Sequence, residues 1–510
     1  MTIARTLAVA LRGVSGHLIE VEADLSSGLP GMSFTGLADA SVVEARDRIR
    51  AALLNSGAAW PNRRITVALL PADMRKVGSH FDLAIAVTVL ATASEVPADS
   101  IVDIVWVAEL GLDGRLRPVR GVLPAALAAQ RAGVPRAIVA SANQAEAALV
   151  GGIDVRSATD LTQVLGWLRG ELPMPPAARP ATAGSTQPSA VDLSDIAGQG
   201  TAKRALEIAA AGGHHLQLVG SPGTGKTMLA ERLPGLLPPL DEAAALEVTA
   251  LYSVAGVLPP QAQLVRQPPF QAPHHTATVA ALVGGGTGLA SPGAISLAHH
   301  GVLFLDEAPE FQPTALDAMR QPLESGRVVL HRGQGVVTYP AQFLLVLAAN
   351  PCPCASRPAD CICPPHVRRR YQHRLSGPLL DRIDLRVVVH PVPSAQLLDD
   401  TAERERTSTV AARVAQSRAI AVERWRRFGW RTNREATGAA LRRPPWRLPA
   451  SVLAPAASYL ERGELTARGF DRVLRLAWTI SDLAGQDSPR SADVAEAVHL
   501  RSGRPDAWAA

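Results

Sequence analysis

Lysine is almost missing from this chain. Among 51 basic residues in 510 positions only Lys76, Lys203 and Lys226 are lysines, leaving 48 arginines. Genome base composition accounts for such a bias in bulk, so each remaining amine invites a specific reason. A disulfide framework is also lacking: the four cysteines all lie within residues 352–363, the wrong distribution for stapling a secreted protein. Long apolar runs are missing too. The run at 7–11 is closed by Arg12 and is too short for a signal sequence core or a membrane helix. Residues 267–305 contain no Lys, Arg, Asp or Glu, yet His274, His275, His299, His300, Pro292 and the glycines at 284, 285, 286 and 288 break that stretch up, so it is not a bilayer span. A cytoplasmic protein with no membrane partner is expected, and no internal repeat of fixed period suggests a solenoid.

What is present is a globular composition, 47% hydrophobic and 19% charged, in a chain long enough for two to four domains of about 100–200 residues each. Residues 172–191, LPMPPAARPATAGSTQPSAV, read as a linker. Before it, in 1–171, strand-like runs at 17–25 and 64–70 alternate with helical patterns at 41–55 and 81–93, which indicates an α/β domain. In 192–391, apolar strands at 216–219, 302–305 and 343–348 are separated by helices, the pattern of a parallel sheet. The remainder, 392–510, reads as Arg-rich helices.

The second segment carries the chemistry. Gly220, Ser221, Pro222, Gly223, Thr224, Gly225, Lys226 and Thr227 form a complete G-x-x-x-x-G-K-T between an apolar strand and a helix. The glycines let backbone N–H groups curl around phosphate oxygens, Lys226 reaches the β and γ phosphates, and Thr227 offers a ligand to Mg²⁺. One of the three lysines therefore has a reason. Residues 301–307, GVLFLDE, end an apolar strand in two carboxylates: Asp306 suits Mg²⁺ held through water, and Glu307 suits polarising an attacking water. Residues 344–350, LLVLAAN, place Asn350 at a third strand tip, where it orients water or γ-phosphate or simply terminates the strand in a turn.

Taken together, GSPGTGKT, PGAISLAHHGVLFLDEAPEF, LVLAANPCPC and SGPLLDRIDL resemble the AAA+ ATPases related to the magnesium chelatase I subunit, most closely the ComM/YifB family, over nearly the whole chain. The resemblance implies an α/β P-loop AAA+ domain with a helical lid, ATP and Mg²⁺ as cofactors, ATP hydrolysis, and a homo-hexameric ring with sites between subunits. Family roles fall on Lys226, Thr227, Asp306, Glu307 and Asn350. Arg382 in LLDRIDL matches the arginine finger, with Arg374 as its substitute; Arg468 in TARGFDRVLR matches the lid's second sensor, with Arg475 as the alternative. A guanidinium suits charge developing on a transferring phosphoryl group. Residues 73–83 and 110–129 resemble the proteolytic domain of Lon. His80 falls at the serine position and Leu123 at the lysine position, Ser79 is adjacent, and no lysine stands between Lys76 and Lys203. A Lon-like domain without the catalytic dyad is expected, hence no Ser-Lys peptidase activity and instead a ring-stacking or substrate-guiding role.

Cys352, Cys354, Cys361 and Cys363 give C-x-C-x₆-C-x-C directly after Asn350, four thiolates for a structural Zn²⁺, with free thiols or a redox pair as the other readings. Between 403 and 447 twelve arginines face four glutamates, so this segment carries +8 while the rest of the chain carries −3. Trp425, Phe428, Trp430 and Trp446 are interleaved with arginines that include Arg424, Arg426 and Arg427, a mixture suited to phosphates and unpaired bases, or to a helical lid with its rings packed inward. Residues 326–339, GRVVLHRGQGVVTY, predict a hairpin. It is similar in placement to the pre-sensor hairpin of chelatase-like and MCM-type rings, which makes Arg332 a candidate DNA contact. His274 and His275, in a Gly- and His-rich insert, read as polar turn residues, with metal binding as the other reading. The resemblance implies a motor that moves on DNA, as in branch migration. The rivals are a protein- or cofactor-remodelling ATPase and a nucleotide-gated scaffold that binds DNA without translocating.

Overall fold

Two large sheets with separate apolar cores organise the chain in the computed structural model, which describes residues 3–178, 191–259, 263–286, 290–332, 335–356, 360–398 and 403–503. The expected linker lies largely outside the described residues. The first sheet contains β1 (Ile3–Arg12), β2 (Ser15–Ser26), β3 (Gly31–Thr35), β4 (Arg64–Leu70), β5 (Ile104–Val107), β6 (Arg136–Ala140) and β7 (Asp154–Ala158), in the order β3-β4-β2-β1-β5-β6-β7. It is mixed: β1, β2 and β4 pair antiparallel, while β3 pairs parallel with β4, and β1, β5, β6 and β7 run parallel to one another. Its helices include α1 (Ala40–Asn55), α2 (Asp82–Thr92) and α3 (Val122–Arg131). The Asp39 carboxylate caps α1 by accepting from the Val42 N–H at 3.0 Å. Every residue of α2 is buried, its apolar residues in the core and Asp82 paired with Arg48 at 2.8 Å.

The second sheet is wholly parallel. It comprises β8 (Leu216–Val219), β9 (Phe270–Gln271), β10 (Val302–Leu305), β13 (Leu344–Ala349) and β14 (Leu385–Val388), ordered β9-β10-β13-β8-β14. Between β10 and β13 the expected hairpin forms from β11 (Arg327–Arg332) and β12 (Gly335–Pro340). The strands β10 and β13 are buried along their whole length, which is why they read as continuous apolar runs rather than as alternating ones. The helices α4 (Gly200–Gly212), α5 (Lys226–Leu236) and α6 (Glu242–Ala255) flank the sheet, and α7 (Pro365–Gln372) precedes β14. A lid of α8 (Thr407–Trp425), α9 (Ala450–Glu461), α10 (Ala467–Leu483) and α11 (Ser491–Ser502) packs against α4 and α5. The buried Asp384 carboxylate ties the lid to the sheet: it accepts from Arg472 of α10 at 2.7 Å and from the His215 N–H ahead of β8 at 3.1 Å.

The two cores meet through α3 and α6. Leu123, Ala126 and Val150 pack against Ala250 in one small cluster. Beside them the buried Glu146 carboxylate accepts from the Leu123 N–H at 2.9 Å and from the Ser253 hydroxyl of α6, and burial raises its pKa above the usual carboxylate value. A second contact joins the β1–β2 turn to the hairpin. Gly13 has φ 65°, and a Cβ there would lie 2.7 Å from the Thr338 carbonyl oxygen of β12, so only glycine permits this approach. Leu123, at the position matching Lon's lysine, is thus part of an interdomain joint. His80 is buried with Nε2 2.9 Å from the Val9 carbonyl oxygen, and burial pushes it down to about 4, which leaves it neutral. The Ser79 hydroxyl donates to Glu109, and the buried Lys76 amine donates to the Pro71 carbonyl oxygen. Placing an amine at position 123 therefore puts a charge among the apolar side chains of Ala126, Val150 and Ala250 in the joint. Leu123→Lys is expected to cost roughly 3–5 kcal/mol, seen as a lowered thermal midpoint in calorimetry, with no casein cleavage gained; an unchanged midpoint contradicts this assignment.

Candidate active site

Strand register brings the site together. Val219 lies opposite Ala349 and Leu305 opposite Leu347, so the residues that follow the three strands, Gly220, Asn350 and Asp306, emerge along one edge of the sheet. The Gly220 N–H donates to the Ala349 carbonyl at 3.1 Å, which anchors the start of the phosphate loop. Gly223 and Gly225 turn the loop with φ of 76° and 89°, and α5 begins at Lys226, so loop N–H groups and a helix N-terminus face the same concavity.

Lys226 is buried among acceptors. Its Nζ donates to the Gly220 carbonyl at 2.7 Å, the Ser221 carbonyl at 3.0 Å and Asn350 Oδ1 at 3.1 Å. Burial lowers its pKa, and the Asp306 and Glu307 carboxylates oppose that shift. The neighbouring Thr227 hydroxyl donates to Asp306 Oδ2 at 2.8 Å. A hydroxyl beside a carboxylate is the hard oxygen donor set that Mg²⁺ takes together with waters. Glu307 adopts φ 50°, a left-handed conformation uncommon outside glycine, and its half-exposed carboxylate lies 3.2 Å from His275 Nδ1.

Two groups here escaped the sequence reading. His275, read as a turn residue, sits on Glu307, and no local pattern signals a contact made by a loop so far upstream. Gln199, also left-handed at φ 58°, bridges the phosphate loop and the chain beyond β14: its amide donates to the Thr224 carbonyl at 3.1 Å and the His390 carbonyl at 2.7 Å. It forms one wall of a cavity of about 440 Å³ that Thr201, Val388 and Val392 also line. The run AGQG just before α4 was the available signal.

The candidate arginines lie apart from this constellation. Arg382 is bonded to Glu324 and to the Pro378 carbonyl. Arg374 pairs with Glu310 at 2.7 Å, in the turn that follows Glu307. Arg468 is 84% exposed with Asp381 at 3.7 Å, and the half-buried Arg475 donates to the Ala436 carbonyl at 2.7 Å. Among the described residues none of the four bonds to Lys226, Asp306 or Glu307. Arg332 ends β11, and its side chain lies outside the described residues.

The basic segment needs correction. Trp425 is fully buried and packs against Trp446 at 4.9 Å and Trp430 at 5.7 Å, while Phe428 stacks on Trp430 at 4.3 Å. Trp425 and Trp446 belong to the lid core, Trp430 packs against it and Phe428 stays 40% exposed on its rim, since burying an indole stabilises more than leaving it in water. Arg424 is not a free phosphate contact either: it forms a buried ion pair with Asp482 and lies over Trp478 at 4.4 Å. Arg427 stacks over Trp446 at 4.2 Å yet stays exposed, and Arg426 is exposed as well, with Glu423 at 3.7 Å. The four cysteine Sγ atoms come within 4.8 Å of one another. A second cluster, Glu247, His299 and His300, is a poorer metal site. His299 Nδ1 accepts the Gln342 N–H at 3.0 Å, which leaves the proton on Nε2 to donate to Glu247.

Comparison with known proteins covers all three segments. Residues 192–397 match the family described as magnesium chelatase, subunit ChlI, residues 21–143 match subunit ChlI of Mg-chelatase, and residues 404–501 match the ChlI C-terminal family. The Mycobacterium tuberculosis H37Rv protein Rv2897c, described as uncharacterized, is 52% identical over 98% of this chain and 99% of its own. The competence protein ComM of Haemophilus influenzae is 40% identical over 98% of both chains, and YifB of Escherichia coli is 41% identical over 97% of this chain and 96% of its own. A Lon protease of Mycolicibacterium smegmatis is 29% identical over 31% of this chain and 21% of its own. No helix among the described residues is long and apolar enough to cross a membrane.

The geometry sets distinct outcomes for single changes. Lys226→Ala is expected to abolish nucleotide binding, and Glu307→Gln to keep binding while turnover falls at least about 100-fold. His275→Ala, which frees Glu307 from a partly exposed pair worth up to about 1 kcal/mol, is expected to raise basal turnover about 2–5-fold at unchanged KM. Steady-state kinetics with a fluorescent-nucleotide titration check all three, and a His275→Ala turnover equal to wild type removes the restraint assigned to that histidine.

Proposed function

Because the chain belongs to the ComM/YifB family of magnesium chelatase-like AAA+ proteins, we propose that it is a cytoplasmic Mg²⁺-dependent ATPase that assembles as a homo-hexameric ring and remodels DNA by branch migration or strand separation. The convergence of Lys226, Thr227, Asp306 and Asn350 at one sheet edge carries the ATPase reading. Loop N–H groups and Lys226 hold the β and γ phosphates, and Gln199 and its cavity take the base. Thr227 and Asp306, the latter through water, hold Mg²⁺, which neutralises developing phosphate charge when bound. Glu307 accepts a proton from the attacking water, and Asn350 orients that water or the γ-phosphate. The absence of an arginine bonded to this site among the described residues supports a seam between copies, where Arg382 or Arg374 reaches a neighbour's γ-phosphate and Arg468 closes over the nucleotide. In this reading the four cysteines hold a structural Zn²⁺.

DNA as the polymer is supported by the word competence in the name of the Haemophilus relative, by the hairpin whose first strand ends at Arg332, and by the exposed Arg426. Matches to the chelatase subunit favour a second reading, a protein- or cofactor-remodelling motor. Turnover measured with a Holliday junction, a fork and single-stranded DNA at rising salt separates the two. We expect stimulation that weakens with salt, and Arg332→Ala is expected to lose it while keeping basal hydrolysis. Turnover indifferent to every DNA favours the remodelling motor. Mass photometry of Glu307→Gln with ATP is expected to show six-fold assemblies.

A further inference from the structure

Four sulfurs converge immediately beyond Asn350. Cys352 Sγ lies 3.4 Å from Cys354 Sγ and 3.3 Å from Cys361 Sγ, the latter two are 3.6 Å apart, and Cys363 falls within 4.8 Å of the others. A disulfide requires about 2.05 Å. Sulfurs placed tetrahedrally around a metal at about 2.3 Å are about 3.8 Å apart, close to the spacing observed. An all-thiolate set selects a soft or borderline ion, of which Zn²⁺ is the available divalent case, and four thiolates leave no open coordination position for catalysis.

The surroundings indicate what such a centre does. On one side, Asn350 bonds to Lys226, and Cys352 is buried two residues later. On the other, Cys363 precedes α7 by one residue, and that helix returns to the catalytic edge. Tyr371 is buried there; desolvation together with the Glu310 and Glu307 carboxylates pushes its hydroxyl up to about 12. The Gln372 amide donates to the Pro351 carbonyl at 3.5 Å, and Arg374 pairs with Glu310 at 2.7 Å. Both ends of the cysteine loop therefore touch the γ-phosphate end of the site. Ile362, between the last two cysteines, is 94% exposed, so apolar packing does not fix that part of the chain. A tetrathiolate zinc carries a charge of −2, which the N-terminus of α7, just beyond Cys363, partly offsets.

We propose that Cys352, Cys354, Cys361 and Cys363 bind one Zn²⁺ that acts as a positioning centre for ATP hydrolysis, holding Asn350 and the C-terminal end of α7 in place at the catalytic edge. The proposal rests on the ATPase reading of that site. The full-length protein is expected to contain one zinc per chain, and its Co²⁺-substituted form to show the thiolate charge-transfer and ligand-field bands of a tetrahedral tetrathiolate. Cys354→Ser/Cys361→Ser is expected to lose the metal and about 10–100-fold of turnover, while fluorescent-nucleotide affinity stays within about twofold. Cys354→His, which keeps a zinc ligand, is expected to retain both metal and turnover. Wild type with four titratable thiols and no metal after zinc reconstitution overturns the proposal, as does loss of metal without loss of turnover. Nucleotide affinity that falls together with turnover in the double variant also overturns it, because that marks a folding role. Wild type that holds zinc yet binds no nucleotide overturns instead the ATPase reading beneath it.

Discussion

Parallel pairing of β8, β13 and β10 in a fixed register is the constraint on which the site depends. A slip of one residue would turn each side chain to the opposite face and carry Gly220, Asn350 and Asp306 out of line. The register is held by burial on both faces: Leu216, Leu218, Val302, Phe304, Val346 and Ala348 fill one core, and Leu303, Leu305, Leu345 and Leu347 fill the other. The polar groups at the strand tips then need little further guidance. Lys226 is bonded to two loop carbonyls and an amide, and Thr227 to Asp306, so the concavity is organised by the fold itself. Preorganisation of this kind is what phosphoryl transfer requires, since positioning and electrostatics supply most of its catalysis.

The other parts of the chain attach to that sheet at defined points. The lid is held through Asp384, whose carboxylate joins Arg472 of α10 to the main chain just ahead of β8, so a movement of the lid is felt at the strand that leads into the phosphate loop. The N-terminal segment grips α6 through Leu123 and Glu146, and the base of the β11–β12 hairpin through Gly13. In a segment partly similar to Lon, the position matching the catalytic lysine has become packing surface, and His80 at the serine position is buried and neutral. Those substitutions suit a module that transmits position.

Legibility of the sequence followed the range of the interactions. Strands buried on both faces, such as Leu216–Val219 and Val302–Leu305, lie where their apolar runs placed them, and the hairpin formed on either side of its Gly-rich turn. The phosphate loop could be read because its chemistry depends on contiguous residues, and Asp306 and Asn350 because each ends an apolar run. His275 and Gln199 could not be read, since their contacts join loops distant in sequence. The aromatic and arginine mixture around 424–446 left two readings open for a related reason: composition there is the same for an exposed platform and a packed lid, and only partners such as Asp482, Asn433 and Trp478 decide between them. The role proposed for Arg382 involves a second copy of the chain and that proposed for Arg468 a bound nucleotide, and no local pattern in the sequence describes either.

The central claim is that a triphosphate is held by Lys226 at the meeting point of three strands. A crystal structure of the full-length protein with Mg²⁺ and a nonhydrolysable ATP analogue tests it most directly. The account predicts density for the β and γ phosphates along residues 220–227 and for a metal ion between Thr227 and Asp306. A fully occupied analogue bound elsewhere, with the Lys226 amine still bonded to Asn350, would contradict it.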